Sequence, residues 1–140
     1  MISKESYYQL FKEHLGFLET DYGLKIEKVY DYDCSLRAKN NSIDIYVSYD
    51  KHEIDATLEP IGNGAEQIKQ QGYRPEDIAI GRLSQALGAK LESSWDPITT
   101  NEQLEAEFIQ IARLLKQYCE PMLRGDFSDW YKYENFINGR

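Results

Sequence analysis

Between Ser3 and Glu19 the apolar residues Tyr7, Leu10/Phe11, Leu15 and Leu18 recur every three or four positions, with His14 on the flank of this stripe. Lys4, Glu5, Lys12 and Glu13 populate the other side. That is the period of an amphipathic helix, with Ser3 placed to cap it and Gly23 just past its end. The period then falls to two. Tyr30, Tyr32, Cys34, Leu36 and Ala38 alternate with Asp31, Asp33, Ser35, Arg37 and Lys39, which predicts a half-buried strand. After Asn40-Asn41, Ile43, Ile45, Val47 and Tyr49 alternate with Ser42, Asp44, Tyr46 and Ser48. After Asp50-Lys51-His52-Glu53, Ile54, Ala56 and Leu58 alternate with Asp55, Thr57 and Glu59, and Pro60 with Gly62-Asn63-Gly64 ends the run. Residues 24–29 predict a further strand or extension. Lys28 and Val29 fall out of phase with Tyr30, so a bulge or bend is expected there.

Register follows from the turns. A two-residue turn at Asn40-Asn41 would pair Ala38 with Ile43, Leu36 with Ile45, Cys34 with Val47 and Tyr32 with Tyr49. A turn at Lys51-His52 would set Tyr49 against Ile54, Val47 against Ala56 and Ile45 against Leu58, although Lys-His is not a preferred pair for positive φ. Both hairpins bury the same face, which a one-residue slip would not allow.

The second half reads as helical. Residues 65–71 fit a short helix. Tyr73-Arg74-Pro75-Glu76-Asp77 puts Pro at a first helical position with acids in the first turn, leading to Ile78, Ile80, Leu83 and Leu87 before Gly88. After Thr99 or Thr100, each with a Glu or Gln three residues on, Leu104, Phe108, Ile111, Leu115, Tyr118 and Met122 form an unbroken stripe. Pro121 should kink or end this helix near Cys119-Glu120, and Gly125 can cap it. A short aromatic helix from Ser128 carries Trp130, Tyr131, Phe136 and Ile137. One helix, an antiparallel meander of three to four strands and then several helices predict an α+β two-layer fold, with helices packed on one sheet face and water on the other.

Length and charge narrow the partners. The chain has 140 residues with no internal repeat or linker, so it reads as one domain, 1–140. A chain of this size can bury about 70% of its unfolded surface without metal or disulfide staples. Its 24 Asp and Glu against 16 Lys and Arg give a net charge of −8. That argues against a nucleic-acid binder and against adhesion to anionic lipid, and leaves a basic partner or an uncharged one. Charged residues interrupt the first 24 positions, so no targeting segment is expected. No apolar run is long enough to cross a bilayer. Cys34 and Cys119 have no metal-ligand or redox spacing and fit reduced thiols in a cytoplasmic protein. Nothing in the pattern fixes an oligomeric state.

Chemistry is sparse. The chain has no nucleophile elbow, no phosphate-cradling glycine loop and no His-Glu-x-x-His helix, so the expectation is a protein that is not an enzyme and needs neither cofactor nor metal. His14 reads as a packing or surface residue and His52 as a turn residue. Cys34 and Cys119 read as inert thiols. Two surfaces remain. On the outer sheet face Arg37, Asp44 and Glu59 would share one cross-strand row, with Ser35, Tyr46 and Thr57 in the next and Asp55 further along. Asp44 opposite Glu59 is a like-charge pair, which costs a few tenths of a kcal/mol unless Arg37 or a cationic partner relieves it. The face is either simply solvated or an acidic docking surface anchored by Tyr46. The second surface surrounds Trp95 and Asp96, where residues 92–107 hold five acids and no Lys or Arg. Trp95 either folds onto the helical layer or serves as a second anchor.

The layout resembles small acidic bacterial proteins of the immunity type, which neutralise a cognate toxin domain. The resemblance rests on the opening helix ending Phe17-Leu18-Glu19-Thr20-Asp21-Tyr22-Gly23-Leu24 and on the strands Ser42-Ile43-Asp44-Ile45-Tyr46-Val47-Ser48-Tyr49-Asp50 and Glu53-Ile54-Asp55-Ala56. It rests also on the late Leu123-Arg124-Gly125-Asp126-Phe127-Ser128-Asp129-Trp130. It implies inhibition by occlusion, an acidic surface covering a basic active-site region. A small-ligand or regulatory adaptor is the alternative, which a pocket between sheet and helices would favour. An unrecognised enzyme would require His14 or His52 gathered with carboxylates.

Overall fold

The computed structural model describes residues 2–29, 34–91 and 96–139. Helix α1 (Lys4–Leu15) starts where the Ser3 hydroxyl accepts the Ser6 amide at 3.1 Å. Gly16 separates it from the single turn α2 (Phe17–Thr20). Gly23, at φ 71°, reverses the chain into β1 (Lys25–Lys28). The chain bends at Val29, where the phase break predicts it, while Tyr30, Asp31, Tyr32 and Asp33 lie outside the described residues. Strands β2 (Cys34–Lys39), β3 (Ile43–Asp50) and β4 (Glu53–Pro60) continue an antiparallel meander in the order β1-β2-β3-β4. A short β5 (Ile78–Ala79) pairs with Thr57 and Leu58 at the β4 edge.

The two hairpins compare differently with expectation. Across β3 and β4 the pairs are Tyr49 with Ile54, Val47 with Ala56 and Ile45 with Leu58, as expected. Lys51 and His52 take φ of 51° and 66°, so the turn adopts left-handed geometry despite its residue types. Across β2 and β3 the register differs by two residues. Leu36 faces Val47, Ala38 faces Ile45, Cys34 faces Tyr49 and Lys39 faces Asp44. The cause is the Asn40 side chain. Its Oδ1 accepts the amides of Ser42 and Ile43 at 2.8 and 3.0 Å, while the Asn40 amide donates to the Ile43 carbonyl. Residues 40–43 therefore form a longer loop and not a two-residue turn. A shift of two leaves every side chain on its expected face.

Two readings in the second half are corrected. Gly62-Asn63-Gly64 opens helix α3 (Gly62–Gln70) rather than merely ending a strand. A Cβ on Gly64 would sit 2.3 Å from the Ser42 carbonyl oxygen and 2.7 Å from the Phe127 ring, so the glycine permits close packing on the β2–β3 loop. Pro75 does not start a helix. Ile78 is taken into β5, and the helix α4 (Ile80–Ala86) begins only at Ile80. Helix α5 (Asn101–Tyr118) has the expected capping box, Thr100 with Gln103, and buries Leu104, Phe108, Ile111 and Leu115. After Cys119 the chain continues into α6 (Glu120–Leu123), reverses at Gly125 (φ 88°), and ends in α7 (Trp130–Ile137).

One core joins the halves. The inward residues of β2, β3 and β4 meet Tyr7, Phe11, Leu15, Phe108, Leu115 and Trp130. The Tyr7, Phe11 and Phe108 rings pack edge to face or stacked, and the buried Tyr7 hydroxyl donates to the Val47 carbonyl at 2.7 Å. Helices cover one sheet face, as an α+β two-layer fold requires. Among the described residues no helix is long and apolar enough to cross a membrane.

Candidate functional site

The outer face of the sheet carries the charged row. Asp44 and Glu59 are cross-strand partners on β3 and β4, and Tyr46 pairs with Thr57 in the next position. The shifted β2 register places Lys39, not Arg37, directly opposite Asp44, and puts Arg37 opposite Tyr46. Arg37 still reaches Asp44 along the diagonal, with Nη2 to Oδ2 at 3.3 Å. The pair is engaged through one edge only. Asp44 Oδ1 and Arg37 Nε are both buried with no hydrogen-bond partner among the described residues. Side-chain exposure is 14% for Asp44 and 35% for Arg37, so the carboxylate is partly withdrawn from water while its neighbour Glu59 is exposed.

These groups line a recess of about 260 Å³ formed by Val29, Arg37, Asp44, Tyr46, Thr57, Glu59 and Asp77. Three carboxylates therefore face one guanidinium. Among the described residues Arg37 is the one cation with an ion pair to any of the three. Asp77 was not foreseen. It enters because residues 73–77 approach β4 ahead of β5, a consequence of the strand that replaced the expected helix start. The face is also drier than alternation predicts. Ser35, expected on the wet face, is fully buried.

The other candidates fall elsewhere. Asp55 is exposed and pairs with Ser48 two positions along the strand from Thr57, outside the recess. It lines a larger groove of about 1020 Å³ between the β4 edge and α5, together with His52, Asp96, Glu107, Ile111 and Arg113. Asp96 is exposed at the rim of that groove, and Trp95 lies outside the described residues. The floor includes Ile54 and Ala56, which β5 does not reach because it pairs only with Thr57 and Leu58. At the end near the turn, the Ile98 amide donates to the His52 carbonyl at 2.9 Å and the Tyr49 hydroxyl donates to the Ile98 carbonyl at 2.5 Å. The loop bearing Asp96 is thereby docked onto the β3–β4 hairpin. Burial raises the Tyr49 phenol above its usual range, and the nearby Cys34 adds to this.

The thiols differ. Cys119 is fully buried and its thiol is pushed up to about 11 by burial, 3.8 Å from the Ser84 hydroxyl. Cys34, read as an inert thiol, packs against the core but is only half buried. His52 holds its place in the turn, 3.5 Å from the Tyr49 hydroxyl. His14, read as a packing or surface residue on the helix flank, meets Glu105 of α5 at 2.8 Å. Spacing could not reveal that contact, since the two residues are 91 positions apart. A scan against protein-family models and searches of curated proteins and of solved structures gave no match to this chain.

Proposed function

We propose that this chain is a non-catalytic binding protein of the immunity type, which occludes a basic toxin or effector domain through the outer face of its sheet. The observation that carries the reading is the recess at Asp44, Tyr46 and Glu59, where two cross-strand carboxylates of like charge stand beside one arginine that, among the described residues, is ion-paired with Asp44 alone. A lysine or arginine from a partner would relieve that repulsion, and Tyr46 would supply apolar contact beside it. The net charge of −8 would speed encounter with a basic surface. Cys34 and Cys119 are not joined to each other, which suits the reducing cytoplasm where such a domain would be neutralised.

The test is paired capture at low salt with the native chain and with a triple variant Asp44→Asn, Tyr46→Ala, Glu59→Gln as baits. Retention of a basic protein by the native bait alone, lost as salt rises above roughly 0.3 M, is the expected result. Identical captures by the two baits would remove the sheet face from consideration. A second reading, a small-ligand or regulatory adaptor, is favoured by the groove between β4 and α5, whose volume suits a metabolite-sized ligand. Ligand-induced chemical-shift changes confined to Ile54, Ala56 and Ile111 would favour it over the first.

A further inference from the structure

We propose that His14, Glu105 and Glu13 bind one divalent transition cation of the zinc class, fastening α1 to α5 on the helical side of the sheet. His14 Nε2 lies 2.8 Å from Glu105 Oε2 and 4.0 Å from Glu13 Oε1. One donor atom from each residue falls within 4.8 Å of the other two. With metal–ligand distances near 2.1 Å, neighbouring ligands in a tetrahedral shell sit about 3.4 Å apart, so the two measured separations straddle the required value.

The scaffold suits the task. Phe108 packs against Tyr7 and Phe11 at centroid distances of 5.3 and 5.8 Å, which fixes the two helices relative to each other. The His14 side chain is 19% exposed and held in place, while Glu105 and Glu13, at 39% and 57%, are free to adjust by a fraction of an ångström. A hydrogen bond from a neutral imidazole to Glu105 would satisfy those two residues alone. The exposed Glu13 carboxylate, 4.0 Å from Nε2, brings a second oxygen donor within reach of a cation seated between the helices. Among the described residues neither glutamate has a Lys or Arg ion-pair partner, and no Lys or Arg occurs from residue 91 to 112. One imidazole and two carboxylates form a donor set for Zn²⁺, Co²⁺ or Mn²⁺. Calcium and magnesium prefer all-oxygen shells. Three protein donors leave a further position for water.

The experiment titrates chelator-treated protein with Zn²⁺ by calorimetry and with Co²⁺ by visible absorption. It compares the native chain with His14→Gln, Glu105→Gln, Glu13→Gln and the control His52→Gln. One equivalent should bind, and His14→Gln and Glu105→Gln should each weaken it by at least about tenfold. Glu13→Gln should weaken it less, and His52→Gln not at all. Zn²⁺ should raise the melting temperature of the native chain and leave that of His14→Gln unmoved, a response that a merely structural His–Glu contact would not give. The proposal fails if the native chain shows no saturable one-to-one binding, if His14→Gln binds as tightly, or if His52→Gln abolishes binding. Should His14→Gln not fold, the two surface glutamate variants decide the matter on the same criteria.

Discussion

At the scale of single residues, packing decides against propensity at Gly64. Alanine in a helix is favoured over glycine by up to about 1 kcal/mol. Here, however, the added methyl would press on the Ser42 carbonyl and the Phe127 ring at 2.3 and 2.7 Å, and one of those neighbours is backbone. Gly64→Ala should therefore destabilise the fold by about 1–3 kcal/mol, read as a lower urea midpoint with an unchanged slope. An unchanged or higher midpoint would mean that α3 can lift off the β2–β3 loop at little cost. The cysteines give a second check. Burial that drives the Cys119 thiol to about 11 leaves almost no thiolate at pH 8 and no access for a reagent. A disulfide reagent at pH 8 should therefore label Cys34 in the native protein and Cys119 only after denaturant is added. Peptide mapping of the labelled protein distinguishes the two. Rapid native labelling of Cys119 would show that the packing of α5 against α4 opens readily.

Among elements, alternation was the most legible signal and loop geometry the least. The faces of β2, β3 and β4 could be read from period two alone, because burial selects a face and the core is shared. Partners across β2 and β3 could not, because the Asn40 side chain builds a longer loop by local hydrogen bonds that any Asn can make or forgo. Pro75 was misleading for a related reason. Proline with following acids is compatible with a helix start, but Ile78 had a free strand edge within reach and the pairing prevailed. Between the turn after α2 and the helix α6 a polar tie was invisible in sequence. The Tyr22 hydroxyl donates to Glu120 Oε2 at 2.7 Å, and Arg124 Nε donates to both Glu120 oxygens at 2.9 and 2.7 Å. The Arg124 and Tyr22 hydrogen bonds hold the Glu120 carboxyl below its usual range. Burial and the bond to Glu120 raise the Tyr22 phenol. Glu120 thus contributes stability above its unfolded pKa, near 4.3, which is lost as pH falls through the lower folded value. Tyr22 contributes stability below about 10, lost as pH rises through its higher folded value. Glu120→Gln should make the fall of the urea midpoint between pH 5 and 3 shallower. An acid limb as steep as that of the native chain would assign the loss to other carboxylates.

For the molecule as a whole, the two faces of the sheet solve different problems. The inner face meets helices and is apolar, while the outer face gathers Asp44, Glu59 and Asp77 around Arg37. The like-charge row was legible because it needs only strand phase and the β3–β4 register, both of which survive in the fold. The contribution of Asp77 was not, since it depends on where β5 docks. A row of like charges costs a little stability wherever it stands, so its electrostatics can be measured in the free protein. Asp44 and Glu59 should then separate under mutation. Glu59 is exposed with no cationic partner among the described residues, so Glu59→Gln removes repulsion and should stabilise by a few tenths of a kcal/mol at low salt. Asp44 is mostly buried against Arg37, so Asp44→Asn forfeits an ion pair and should destabilise instead. The gain from Glu59→Gln should fade near 1 M salt, where charges farther apart than about 3 Å are screened, while the loss from Asp44→Asn should persist because its partner is partly withdrawn from solvent. Urea midpoints of the two variants and the native chain at 20 mM and 1 M salt measure both effects. A destabilising Glu59→Gln at low salt would show that Arg37 already neutralises the whole row and that no cation is wanted there.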